Sequence, residues 1–298
     1  MIPFKPSQRS FHTATFINDK LYIIGGNLST NFLNDFFYLD VSAAFNTENL
    51  PWVDLSSTNN IVPPHADATS VKGGVNNDRL ILYGGITTDP KTPSLYEFDY
   101  LYSFDTLSNL WSPKIAANFP KKELLTGIID HSGKMYLWGG YDEVKTLNDM
   151  FILDTIKLIG RVGSLVNAPT PRYNYGAALL PNNNIIYFGK QVILVNLILL
   201  IVFPPFYSNI DYLGLDGQSI IIFGGTATFS LQGLEPEDSL YELNLSSFEW
   251  IIPKISNTSQ IPKSRMYHKA NVIGKYMVIS FGEHFFYIIN WIKLLSNF

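Results

Sequence analysis

Cysteine is absent from all 298 residues. Disulfides, thiolate metal sites and cysteine nucleophiles are therefore excluded, and a reducing compartment suits the chain. Charge is also sparse. Charged residues make up 15%, and 21 basic against 25 acidic side chains leave a formal net charge of −4. No basic stripe stands ready for a phosphate backbone, so no nucleic-acid partner is expected. Long hydrophobic runs are missing too. The longest, Val192–Phe206, is interrupted by Asn196 and Pro204, and a membrane-spanning helix needs about 20 apolar residues. Met1–Pro6 lead into the first repeated segment without a secretory leader, so a cytoplasmic location and no membrane are expected. The three Asn-x-Ser/Thr sequons, at Asn27, Asn244 and Asn257, carry little weight in a chain this rich in Asn and Ser. Gly-x-Ser-x-Gly, a phosphate loop and His-Glu-x-x-His are all absent.

What the chain has is repetition. An apolar strand ending in two glycines occurs at Leu21–Gly26, Leu80–Gly85, Met135–Gly140 and Ile220–Gly225. Eroded copies occur at Ile185–Lys190 and Val278–Glu283. Self-similarity at a period of roughly 50 residues marks a repeat architecture. Before the apolar strand of four copies lies a polar-aromatic opener (Arg9–Phe16, His65, Pro171–Gly176, Ser264–His268), and a turn such as Asn18-Asp19-Lys20 or Asn182-Asn183-Asn184 leads into the strand. After it comes a third strand ending in Asp: Asp40, Asp105 and Asp154, with Asn244 in a later copy. A Trp follows at Trp52, Trp111 and Trp250. Short strands, turn signals and no helical period indicate antiparallel β-structure. The Gly-Gly strands are apolar on both faces, as strands covered on both sides should be.

This order of apolar strand, Gly-Gly, Tyr-x-apolar-Asp strand and Trp resembles the kelch repeat, over most of residues 7–284. The resemblance implies an all-β, kelch-type β-propeller of about six blades, filling residues 1–298 as a single domain. The first-glycine positions, Gly25, Gly84, Gly139, Gly189, Gly224 and Gly282, are separated by 59, 55, 50, 35 and 58 residues. The short interval coincides with off-pattern apolar sequence at 190–213, and a second such segment fills 284–298. Blade four and the last blade are therefore expected to be degenerate or incomplete. The second half of blade four and the first strand of blade five are expected to be missing or replaced, and blade six to lose its outer strands. These segments are either degenerate strands or sequence foreign to the native protein, such as retained introns.

Candidate chemistry is thin. His12, His65 and His268 are read as equivalent opener positions in three blades, which rotational symmetry would keep apart on a ring. Structural hydrogen bonding, with Arg9 and Arg265 as similar partners, accounts for them better than a metal site needing three or four converging ligands. Asp40, Asp105 and Asp154 read as turn caps rather than paired acid and base, and the three Trp as packing between blades. The acidic loop Glu235-Pro236-Glu237-Asp238 reads as solvated. No catalytic, cofactor or metal residue is assigned. The resemblance implies a monomeric, non-enzymatic scaffold that binds a protein partner through its rim loops. It admits two alternatives: an enzyme like galactose oxidase, whose Tyr–Cys cofactor cannot form without cysteine, and a ubiquitin-ligase substrate adaptor, which would need an assembly domain ahead of the first repeat.

Overall fold

The computed structural model describes residues 4–44, 49–88, 95–97, 100–115, 119–188, 210–213, 218–225, 240–247, 249–252, 265–274, 276–284, 287–288 and 292–296. Apart from one 3-10 turn at Ser56–Thr58, the regular structure among them is β. Each repeat becomes a small antiparallel sheet. Blade one contains Thr13–Ile17, Lys20–Ile24, Phe36–Asp40 and Trp52–Asp54 in that order across the sheet. Its first two strands meet at Asn18 and Asp19, with φ of 47° and 59°. A two-residue hairpin turn with both residues left-handed matches the natural twist of the strands, and Asn and Asp tolerate that region well.

Blade two (Thr69–Gly73, Arg79–Tyr83, Tyr100–Asp105, Leu110–Ile115) and blade three (Ile128–Ile129, Lys134–Trp138, Met150–Asp154, Ile159–Val162) repeat the four-strand order. Blade four has two strands among the described residues, Gly176–Leu179 and Ile185–Phe188. Blade five has four: Ile210–Leu213, Ser219–Phe223, Leu240–Asn244 and Trp250–Ile251. Among the described residues blade six has three: Lys269–Ile273, Tyr276–Ser280 and Ile292–Ser296.

The off-pattern segments supply strands, as the degenerate-strand reading expects, and the loss of blade six's outer strands is corrected in part. Blade five does not lack its first strand, because Ile210–Leu213 pairs with Ile220–Phe223 in full antiparallel register. Blade six keeps a third strand, since Ile292–Ser296 pairs with Tyr276–Ser280. Backbone pairing requires only extended chain beside an open edge, so neither strand needed the repeat's side-chain signature. Residues 190–209, the rest of that segment, lie outside the described residues.

The innermost strands of the six sheets pack in cyclic order, and the strand from Thr13 contacts both that from Thr69 and that from Lys269. The core lies at the seams of this ring. Tyr22 and Phe36 of blade one meet Phe104 and Trp111 of blade two. Val71 and Tyr83 meet Leu137 and Phe151. Ala178 and Ile186 meet Ile222 and Leu243. Ile221 and Leu240 meet Ala270 and Ile279. Leu21 and Phe37 meet Val278 and Phe281, which joins blade six to blade one. A central strand in such a stack is covered by a blade on either side, and Lys20–Ile24 accordingly buries four consecutive apolar residues.

The register of blade six also departs from the expected one. Gly282 is not the first glycine of its pair but the second. Strand Tyr276–Ser280 is followed by Phe281 with φ 49° and Gly282 with φ 94°, matching Gly25 at 68° and Gly26 at 93°. Phe281 stands where the other described blades have glycine. It survives there because its ring fills a seam, at 5.3 Å from the His12 ring and beneath the Arg9 guanidinium at 5.5 Å.

Candidate functional site

The openers of successive blades lock together by two recurring backbone bonds. In the first, the second residue of each glycine pair donates to the opener carbonyl of the next blade: Gly26 to His65, Gly85 to Lys122, Gly140 to Arg172, Gly225 to Arg265 and Gly282 to Arg9, at 2.8–3.1 Å. In the second, a left-handed residue two positions after the opener donates to its counterpart in the preceding blade. Phe11 donates to Tyr267 at 3.2 Å, Asp67 to Phe11 at 3.1 Å, Leu124 to Asp67 at 3.1 Å and Asn174 to Leu124 at 2.7 Å. All five have φ between 50° and 59°. Non-glycine residues visit that region at a cost. Here the shared hydrogen bonds offset it and turn five side chains toward one axial space.

This framework corrects the alignment of the histidines. His65 lies two residues before left-handed Asp67, as Arg9 lies two before Phe11. It therefore occupies the arginine position, and only His12 and His268 are equivalent. His12 Nε2 lies 3.0 Å from Ser280 Oγ of blade six, while His65 Nδ1 lies 2.8 Å from the Pro63 carbonyl. Burial lowers the pKa of all three: His12 well below the usual imidazole range, His65 to about 4 and His268 to about 3. At neutral pH each is an uncharged core group.

The other opener cations are also held structurally. Arg9, fully buried, donates to the Gly25 carbonyl at 3.0 Å and to Asp35 Oδ2 at 2.7 Å. Lys122 repeats the arrangement in blade three, donating to the Gly139 carbonyl at 3.1 Å and Asp149 Oδ1 at 2.8 Å. Arg265 donates to the Phe281 carbonyl at 3.1 Å. The third-strand carboxylates cap turns. Asp40 Oδ1 accepts from the Ser42 amide, Asp105 Oδ1 from those of Leu107 and Ser108, and Asp154 Oδ1 from those of Ile156 and Lys157. Asn244 Oδ1 does the same for Ser246 and Ser247. Trp111 packs at 5.0 Å on Phe36 of the neighbouring blade, Trp52 at 6.1 Å on Phe281, and Trp250 joins the blade four–blade five seam. The loop Glu235–Asp238 lies outside the described residues.

The axial space is a cavity of about 40 Å³, room for about three waters, lined by all five left-handed residues with Thr126, His268 and Lys269. Asp67 and Lys269 both line this cavity and are partly exposed. Burial, reinforced by the Glu123 charge and only partly opposed by Lys269, raises Asp67 to about 8. Glu123, 7% exposed, is raised to about 7 by burial and then by Glu143. Burial lowers the Lys269 ammonium against the attraction of Asp67.

Around the mouth the surface is aromatic. Phe11 and Tyr267 stack at 4.0 Å, and Tyr141 meets Tyr173 edge-on at 6.2 Å. The Ser10 hydroxyl lies 2.7 Å from Asn27 Oδ1 and 2.6 Å from Glu283 Oε1, tying blade one to blade six at the rim. After the glycine pairs, Asn27–Leu28 pairs with Asn31–Phe32, Ile86–Thr88 with Leu95–Glu97, and Glu283–His284 with Tyr287–Ile288. Asp67, Glu123 and Lys269 escaped sequence reasoning. The signal for them was positional: they fall two, one and four residues from the arginine site of their repeats. Among the described residues no three His, Asp or Glu side chains gather as a metal site, and no helix is long and apolar enough to cross a membrane.

The comparisons agree with this architecture. The KLHDC2/KLHL20/DRC7 Kelch-repeats domain model matches residues 42–199, and the Kelch motif model matches residues 8–44. A Rho GTPase-activating protein, gacHH, of Dictyostelium discoideum is 31% identical over 160 residues, 51% of this chain and 10% of that protein. The leucine-zipper-like transcriptional regulator 1 homolog of Drosophila melanogaster is 24% identical over 310 residues, 94% of this chain and 30% of that protein. The chain thus spans less than a third of either relative. The solved structure of YjhT superposes with a TM-score of 0.67 at 14% identity, covering 99% of this chain and 95% of its own. With repeats, cyclic seams and a matching domain model over more than half its length, the chain belongs to the kelch-repeat family.

Proposed function

We propose that this propeller is a non-enzymatic scaffold that binds a protein partner on the face formed by its openers and post-glycine hairpins. The observation that carries this reading is the half-exposed aromatic rim of Phe11, Tyr141, Tyr173 and Tyr267 on a hydrogen-bonded ring. Aromatic side chains held rigidly in advance are the anchors of protein interfaces, because little conformational freedom remains to be lost on docking. The relatives support it in another way. A Rho GTPase-activating protein and a transcriptional regulator homolog differ in their named roles yet share this stretch as a fraction of their length. A module common to unlike proteins fits recognition better than one shared chemistry.

The test is quantitative binding of the purified chain to proteins it captures. One partner should bind with a defined stoichiometry, and Tyr141→Ala together with Tyr173→Ala should weaken it at least ~10-fold, about 1.4 kcal/mol. Unchanged binding by that double variant would remove the rim from the reading.

A further inference from the structure

We propose that the axial cavity binds a small zwitterion of the α-amino-acid class, with the ligand's ammonium on Asp67 and its carboxylate on Lys269. This goes beyond the scaffold reading and does not rest on it. Asp67 of blade two and Lys269 of blade six line one cavity from different sides of the ring. They carry opposite charges, yet no ion pair within 4.0 Å joins them. Among the described residues neither side chain has a hydrogen-bond partner, and neither does the side chain of Asn174, which lines the same space. Polar heads of this kind without a protein partner stand against solvent or a ligand, because a bare charge shut away from both is too costly. The ring keeps the two apart. The Asp67 amide donates to the Phe11 carbonyl at 3.1 Å, and its own carbonyl accepts from Leu124 at 3.1 Å. Lys269 is paired with Ser280 in the first hairpin of blade six, where its carbonyl also accepts from Ser280 Oγ at 3.1 Å.

The charges select the ligand. A simple cation on Asp67 would be repelled by Lys269. A simple anion on Lys269 would be repelled by the Asp67 carboxylate and would leave it without a donor. One molecule carrying both signs a few bonds apart satisfies both heads at once, through two charge-assisted hydrogen bonds. The size agrees as well: an amino-acid head group takes about the space of three waters, which is the room this cavity offers. The Asn174 amide can donate to the ligand's carboxylate or accept from its ammonium. A ligand side chain would leave past Phe11 and Tyr267, which line the same cavity and stack on each other at 4.0 Å. The raised acidity constant of Asp67 accords with this arrangement, since Lys269 across the gap offsets its burial only in part. A ligand ammonium supplies the close cation that the carboxylate lacks.

The experiment titrates the full chain with glycine, and separately with methylammonium and acetate, the two halves of that probe. Aromatic NMR signals of Phe11 and Tyr267 report occupancy. Glycine should saturate at one per chain and bind at least ~10-fold more tightly than either half. Asp67→Asn should weaken glycine at least ~5-fold without weakening acetate, and Lys269→Met should weaken glycine as much without weakening methylammonium. Asn at position 67 suits the left-handed backbone, because Asn174 already occupies the same repeat position in blade four. Unshifted signals of Tyr22 and Trp111, in the seam of blades one and two, show that each variant keeps its fold. If a variant does not, the comparison of the three probes on the parent chain decides alone. Acetate or methylammonium binding as tightly as glycine overturns the proposal, since one charge would then suffice. So does the lack of saturation by any probe, which leaves the cavity to water, and so does glycine binding undiminished in both variants. Each of these results leaves the scaffold reading intact, because that reading is tested at the rim with Tyr141→Ala and Tyr173→Ala.

Discussion

Gly282 gives its amide to the carbonyl of Arg9 across 3.1 Å, and this bond joins the last blade to the first. Blade one draws all four strands from the N-terminal part of the chain, and blade six draws its described strands from the C-terminal part. Among the described residues no strand is exchanged across this seam. Closure rests instead on that bond, on the amide of Phe11 donating to Tyr267, and on the packing of Phe281 against Phe37 and Trp52.

Arg9 is the side chain on which this seam depends most. Its guanidinium binds the Gly25 carbonyl and Asp35 while lying 4.7 Å over the Phe37 ring and 5.5 Å over Phe281. Arg9→Ala strands these groups. Asp35 keeps about a third of its side-chain exposure, so the loss falls below that of a fully buried pair, at about 2–3 kcal/mol. Chemical denaturation measures it, and a change under about 1 kcal/mol would contradict this account.

The glycine pairs differ in what they tolerate. Gly85 has φ 96°, and a Cβ there would lie 2.5 Å from the Ala66 carbonyl oxygen and 2.7 Å from the Ala68 nitrogen. Gly85→Ala should cost more than about 3 kcal/mol, as backbone strain adds to a clash with main chain that cannot yield. Gly274, with φ 56° and open space around it, should cost about 1 kcal/mol on the same change. Comparing the two melting curves separates the clash from the strain.

Phe281 makes the converse case. Phe281→Gly would relieve a left-handed non-glycine residue, worth about 1 kcal/mol. It would also empty a seam position that is 2% exposed, worth about 3–5 kcal/mol. The net expectation is destabilisation by about 2–4 kcal/mol. A stabilised variant would show that backbone conformation, not packing, dominates at this position.

The pH dependence follows from opposite shifts. His12, His65 and His268 have folded pKa values below the unfolded value of about 6.5. The unfolded chain binds more protons there, so their contribution is present above pH 6.5 and is lost on acidification. Asp67 and Glu123 have raised folded values, about 8 and about 7. Their contribution is present below the unfolded carboxyl values near 4 and is lost as pH rises through 7 and 8. Stability should therefore peak between pH 6 and 7. Asp67→Asn should flatten the alkaline decline and, because the Asp67 contribution falls across the whole span from about pH 4 to 8, steepen the acid limb, as urea denaturation at a series of pH values would reveal. A decline of the same steepness in the variant would refute the assignment to Asp67.

The turn caps should be modest and independent. Asp154→Ala removes the acceptor for two amides on an exposed turn and should cost about 0.5–1.5 kcal/mol. Combined with Asp40→Ala in another blade, the losses should add within about 0.5 kcal/mol.

The caps, the seam tryptophans and the glycine pairs were legible because each is a local rule repeated in register: an Asp after a strand, a Trp after the Asp, two glycines where the chain must turn left-handed. Blade six misled because a single Phe replaced a glycine and shifted the apparent pair by one residue. His65 misled because residue type suggested His12 as its equivalent, whereas backbone conformation aligns it with Arg9. Strands Ile210–Leu213 and Ile292–Ser296 carried no side-chain signature, and they form because a neighbouring strand offered an unpaired edge.

By itself, then, the sequence determined the architecture: an all-β ring of kelch-type repeats, with its turns and seam aromatics, since periodic burial and turn chemistry are properties of short segments. Only the tertiary structure decided what stands at the axis. Asp67 and Lys269 come from blades two and six, and their altered acidities arise first from burial and then from each other's charge, in a space that exists only when the ring has closed.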